Sequence, residues 1–117
     1  MKKLYYTWKE FEQDIDVLAR RIKKWKRKFN GIYGMPRGGL PLAVALSHKL
    51  NLPLLLGGVT AKTLVVDDIA DSGSTLTPYQ ERHACIVTIF YHPKSRVEPA
   101  LWLRKKTADW IVFPWEV

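Results

Sequence analysis

The chain has 117 residues and a mass of 13.6 kDa, and 47% of it is hydrophobic, enough for one domain with a real core and too little for two. Nineteen Lys and Arg against eleven Asp and Glu leave a formal charge of +8, which suits anionic partners. One cysteine, Cys85, excludes an intrachain disulfide, and no apolar run approaches the length of a membrane span, so the composition predicts a cytoplasmic protein with no membrane partner.

In chain order, Thr7-Trp8-Lys9-Glu10 has capping-box spacing, and Phe11, Ile15, Leu18, Ile22 and Trp25 recur at helical intervals, predicting a first helix over residues 8–28. Seven cations from Arg20 to Lys28 crowd its end. A solvated basic face near a helix carboxyl terminus explains them, attraction of a polyanionic substrate is the second reading, and no nucleic-acid-binding motif accompanies them. Gly31–Gly34 reads as a short strand and Leu40–Leu50 as a second helix stopped by Asn51 and Pro53. Leu54–Leu56 makes another strand. Leu64, Val65 and Val66 form a short apolar run, β-branched at both valines and without alternation, as a sheet covered on both faces requires. A helix near Thr77–His83, a strand at Ile86–Tyr91 and one around Ala100–Arg104 complete the alternation, which predicts a parallel α/β domain over residues 1–117. The closing DWIVFPWEV, aromatic and carrying Pro114, reads as a cap over one sheet edge.

Two segments carry chemistry. In Thr63–Leu76, TLVVDDIADSGSTL, Asp67 and Asp68 stand at the carboxyl end of a buried strand, the edge where open α/β sheets bind ligands. Ser72, Gly73, Ser74 and Thr75 follow as a turn whose N–H groups and hydroxyls can wrap a phosphate. Pro36-Arg37-Gly38-Gly39 follows the first predicted strand, and its glycines allow close backbone approach to an anion while Arg37 supplies a planar cationic fork.

Together these segments resemble the phosphoribosyl pyrophosphate (PRPP) signature and pyrophosphate loop of the type I phosphoribosyltransferases. The likeness extends to the xanthine-guanine branch through Arg37–Leu40, Val87–Phe90, Pro93, Trp110-Ile111 and Pro114-Trp115. It implies a Rossmann-like, mainly parallel sheet of about five strands flanked by helices, with a small C-terminal hood over residues 105–117. It also implies transfer of phosphoribose from PRPP to a 6-oxopurine in a homodimer or higher homo-oligomer. Carried over by position, Asp67 and Asp68 hold the ribose, with Asp68 also near a Mg²⁺. Asp71, Ser72, Gly73, Ser74 and Thr75 take the 5′-phosphate, and Pro36, Arg37, Gly38 and Gly39 take the pyrophosphate. Asp71 and Arg37 are the catalytic candidates. The base falls to His92, Trp110 and Ile111, with Trp102 and Trp115 as rival stacking platforms. His92 stands where the family uses a lysine toward the 6-oxo group, and Lys94 is the nearest substitute.

One departure stands out. Between Leu56 and Thr63 the family inserts a long mobile loop that closes over PRPP, and here only Gly57–Lys62 remain. The sequence therefore leaves two function classes: a purine phosphoribosyltransferase of reduced size, or a PRPP- or nucleotide-binding regulatory module with little turnover.

Overall fold

The computed structural model describes residues 2–116. Its elements in chain order are β1 (Lys3–Tyr5), α1 (Trp8–Lys24), β2 (Gly31–Gly34), α2 (Leu40–Leu50), β3 (Leu54–Leu55), β4 (Thr63–Ala70), α3 (Thr77–Glu81), β5 (Cys85–Tyr91), β6 (Arg104–Lys105) and β7 (Trp110–Val112). Five strands form one parallel sheet in the order β3-β2-β4-β5-β6, and β1 pairs with β7 in a separate two-stranded sheet. Among the described residues no helix is long and apolar enough to cross a membrane.

The lack of alternation in β4 follows from its central position. Leu64 and Val66 face a cluster containing Phe11, Leu18 and Ile22 of α1 and Leu42, Ala43 and Leu46 of α2, while Val65 faces Val59, Leu76, Ile86 and Val97 on the other side. Both faces are covered, so every position from Thr63 to Val66 is buried. Cys85 packs in the first cluster, where burial pushes its thiol pKa up and leaves it a small apolar filler.

Helix α1 begins as the sequence predicts, with the Thr7 hydroxyl accepting from the Glu10 N–H at 3.1 Å and the Glu10 carboxylate accepting from the Thr7 N–H. It ends at Lys24, four residues before the predicted limit, and Lys26 turns left-handed at φ 51°. Beyond Trp25 the next residues are Lys26, Arg27 and Lys28, which repel one another and offer no apolar face to hold a further turn on the sheet. Helix α2 has the predicted bounds, with Asn51 closing it at φ 53°. Helix α3 stops at Glu81, before a left-handed His83.

The strands also depart from expectation in detail. Residue Leu56 leaves β3 and is 93% exposed, and β4 continues through Asp67 and Asp68 to Ala70. The segment expected as a strand over Ala100–Arg104 touches β5 through a single bridge, Leu101 to Val87, and pairs regularly only at Arg104–Lys105. Its link to α1 is polar. Arg104 Nε donates to Asp14 Oδ2 at 2.7 Å and Nη1 to Glu10 Oε2 at 3.2 Å, while the Tyr6 hydroxyl donates to the same Asp14 oxygen at 2.6 Å. Burial and the Asp14 carboxylate together drive the Tyr6 pKa well above the usual phenol range.

Candidate active site

The turn after β2 is built against the acidic pair. Met35 N–H donates to the Val66 carbonyl at 3.0 Å, which ties the turn to β4 one residue before Asp67, and Gly39 N–H closes it on the Met35 carbonyl at 2.7 Å. Gly38 has no room for a side chain, because a methyl group there would collide with the Asp68 carboxylate. Gly39 is equally constrained, between the Val66 carbonyl and the Met35 backbone. Pro36 and Arg37 form the exposed outer part of the turn, joined by a cis peptide.

Asp67 and Asp68 are half-buried neighbours, with the Asp68 N–H donating to Asp67 Oδ1 at 2.8 Å. Burial, reinforced by the Asp68 charge, pushes the Asp67 pKa up to about 8, and burial raises Asp68 as well. The pair thus holds a proton near neutrality that a bound cation would displace. A cavity of about 780 Å³ opens beside it, lined by Arg37, Gly38 and Asp68 on one side and by Trp115 and Glu116 on the other. Among the described residues no group of three or more His, Cys, Asp or Glu is placed to hold a metal ion. The Asp68 carboxylate, which lines the open cavity, suits Mg²⁺, an ion that takes one or two protein carboxylates and fills its shell with water and substrate oxygens.

The phosphate-loop candidate lies past the end of β4. Gly73 adopts φ 81°, and its carbonyl accepts from the Leu76 and Thr77 N–H groups and from the Thr77 hydroxyl, which folds the turn tightly. Ser72, Ser74 and Thr75 are exposed, and the N–H groups of Ser72, Gly73 and Thr75 donate to no protein group among the described residues. The segment after β5 braces this turn, with Arg96 N–H donating to the Ser72 carbonyl at 2.9 Å and Ser95 and Val97 packed where a Gly73 side chain would sit. The result is an exposed nest of donors suited to an oxyanion.

Asp71 stands between these two regions with its carboxylate 57% exposed. His92 is next to it across the strand ends, its N–H bonded to the Ala70 carbonyl at 2.9 Å. Because the Lys94 N–H donates to His92 Nδ1 at 3.0 Å, a neutral His92 carries its proton on Nε2. The three base-binding expectations separate here. Trp110 is 55% exposed on β7, Ile111 turns its side chain into the core, and neither lines the 780 Å³ cavity. The tryptophan that does is Trp115, stacked on Phe113 at 5.1 Å and 11°. Two further residues escaped the sequence reading: Glu116, on the cavity wall, and Lys106, whose ammonium is 4.0 Å from Asp71 Oδ1.

No family model matches the chain. The xanthine-guanine phosphoribosyltransferase of Chromohalobacter salexigens is 28% identical over 135 residues, spanning 95% of this chain and 82% of that protein. That alignment is longer than the chain itself, so the relative carries residues with no counterpart here. The xanthine-guanine-hypoxanthine phosphoribosyltransferase of Helicobacter pylori shares the fold at a TM-score of 0.81 and 21% identity, over 98% of this chain and 94% of that one. The crystal structure of a purine phosphoribosyltransferase from Pyrococcus horikoshii superimposes with a TM-score of 0.86 over all of this chain and 96% of that one, at 31% identity. Identity at that level, spread over nearly the whole of a relative with the same fold, makes the chain a member of the type I phosphoribosyltransferase family, with xanthine-guanine enzymes among its relatives.

Proposed function

We propose that the protein transfers the 5-phosphoribosyl group from PRPP to a 6-oxopurine (guanine, xanthine or hypoxanthine), giving the nucleoside monophosphate and pyrophosphate. The observation that carries this reading is the packing of the Pro36–Gly39 turn directly on Asp68 at the mouth of a cavity of about 780 Å³. An anion turn and an acidic pair in contact suit a substrate whose pyrophosphate and ribose hydroxyls are neighbours.

On this reading Asp67 and Asp68 hold the ribose hydroxyls, and Arg37 with the backbone of Gly38 and Gly39 draws charge from the departing pyrophosphate. The donor nest at Ser72, Gly73, Ser74 and Thr75 anchors the 5′-phosphate, which fixes the anomeric carbon between the leaving group and the base. Asp71 accepts the purine N7 proton as the new bond to the base nitrogen forms. The base lies against Trp110, with Ile111 backing that strand from the core and His92 Nε2–H directed to the 6-oxo group. Mg²⁺ at Asp68 would add neutralisation of pyrophosphate charge. Residues 1–117 act as one domain, with 105–117 as its hood, in a cytoplasmic homodimer or higher homo-oligomer; exposed Leu40, Val44, Leu54 and Leu56 supply apolar surface for such association.

A second reading, a PRPP- or nucleotide-binding regulatory module with little turnover, is favoured by the Gly57–Lys62 connection, a short, mostly exposed turn where even a side chain added at Gly57 or Gly58 would meet nothing within 4 Å. One experiment separates the two. Incubation with PRPP, Mg²⁺ and guanine, xanthine, hypoxanthine or adenine is expected to yield nucleotide with the oxopurines, and Asp71→Asn to lower that rate about 100-fold. Binding of PRPP or nucleotide without product overturns the enzymatic reading, and an Asp71→Asn variant turning over at the wild-type rate removes the proton-acceptor role.

A further inference from the structure

Asp71, His92 and Lys106 each follow the end of one of three adjacent parallel strands. Ala70 is in register with Tyr91, and Tyr91 with Lys105. The His92 N–H bonds the Ala70 carbonyl at 2.9 Å and the Lys106 N–H bonds the Tyr91 carbonyl at 2.8 Å, so the three residues are locked at one level of the sheet's carboxyl edge. A carboxylate, an imidazole and an ammonium are thereby lined up where this class of sheet binds ligands.

The pairing of Lys106 with Asp71 is unlike a surface ion pair. The Asp71 side chain is 57% exposed but that of Lys106 only 17%, and every other lysine among the described residues is exposed. Surface pairs leave both charges in water and contribute little. Here most of the Lys106 side chain is covered, which holds its ammonium in place beside the open Asp71 carboxylate. An ammonium has three donors, and one of them reaches the Thr107 carbonyl at 3.5 Å, which leaves others for a ligand beside Asp71.

We infer that Lys106 is a base-recognition residue, whose ammonium, held beside Asp71, donates to the 6-oxo group of the purine. The assignment rests on the transferase reading of the same site. It gives the site a permanent cation, which an imidazole is not. Adenine has an amino donor in place of the oxo acceptor and meets the ammonium unfavourably, so Lys106 selects oxopurines by repulsion as well as attraction.

The test is titration of the wild type, Lys106→Met, Lys106→Arg and Lys9→Met with GMP, IMP and AMP by calorimetry, with thermal melts to establish folding, and steady-state kinetics with guanine and PRPP. Lys106→Met is expected to weaken GMP and IMP binding at least about tenfold and AMP less than about twofold, the loss typical of a charged hydrogen bond. It is expected to raise KM for guanine while leaving that for PRPP in place. Lys106→Arg recovers most of the affinity, and Lys9→Met, at an exposed position of α1, changes nothing. Unchanged GMP binding in Lys106→Met, equal losses for GMP and AMP, or a wild type without preference for GMP over AMP overturns the assignment. A wild type that prefers GMP but forms no nucleotide overturns the transferase reading and leaves the Lys106 assignment supported if Lys106→Met abolishes the preference.

Discussion

Replacing Arg104 by Met tests how the polar clamp beneath the base side holds the fold. Asp14 is only 7% exposed and its carboxylate takes Arg104 Nε at 2.7 Å, Arg104 Nη2 at 3.3 Å and the Tyr6 hydroxyl at 2.6 Å. Removing one partner of a buried pair costs about 3–5 kcal/mol, because the remaining charge is left without its counter-ion. The Arg104 side chain is 34% exposed, so water can approach the vacated position and the expected loss falls to about 2–3 kcal/mol. Tyr6→Phe, which deletes one hydrogen bond and keeps the ring against Phe90 and Phe113, should cost only about 1 kcal/mol. The triple replacement Tyr6→Phe, Asp14→Leu, Arg104→Met removes the buried charge and the donors of the clamp, leaving only Glu10, whose side chain is 36% exposed, and should return to within about 1 kcal/mol of the wild type. Urea denaturation at pH 7 measures all three. A loss below about 0.5 kcal/mol for Arg104→Met, or a triple variant less stable than that single one, would refute the reasoning.

Two further expectations concern the acidic pair. Asp67 titrates at about 8 in the native chain against ~3.9 unfolded, so between those values the native state binds more protons than the unfolded state and stability falls as pH rises. In chelated, metal-free buffer the loss from pH 6 to pH 8 should be about 2 kcal/mol and should shrink in Asp67→Asn, where only the buried Asp68 carboxyl remains; equal pH slopes in urea titrations of the two proteins would sink the idea. Gly38→Ala drives a methyl into the Asp68 carboxylate and should abolish PRPP binding measured by calorimetry; the methyl's nearest contacts are all Asp68 atoms, with no core side chain among them, so melting cooperativity is kept.

Local chemistry was legible in the sequence and register was not. The bounds of α2 could be read because Pro41 and Asn51 act on their own backbone, and β4 because a β-branched run has one comfortable environment. Strand β1 was invisible, since Lys3–Tyr5 is exposed throughout and becomes a strand only by pairing with Trp110–Val112 at the far end of the chain. The site divides in the same way. Asp67, Asp68 and the turns around Gly38 and Gly73 announce themselves by residue type at short spacing. Lys106 has no such signal, because its approach to Asp71 depends on how β6 registers on β5 and β5 on β4. Trp115 could be named as a rival to Trp110, yet which indole lines the cavity is decided by the aromatic stack it joins.

That stack bears on how a site with a short β3–β4 connection excludes water. Trp115 packs on Phe113, Phe11, Trp8 and Tyr6, and it reaches the cavity from a cluster anchored on α1 and the main sheet. The cavity beside Asp68 therefore has a fixed wall, with Arg37 and Gly38 facing it from a turn bonded to β4. The residues proposed for the base are less covered: Asp71 and Trp110 are exposed and His92 is half-buried. On the transferase reading, the purine itself must supply the missing cover, stacking over the anomeric carbon as it binds. Water exclusion then depends on base affinity, which makes the contacts of Lys106 and Trp110 determinants of the rate of the chemical step as well as of the choice of substrate.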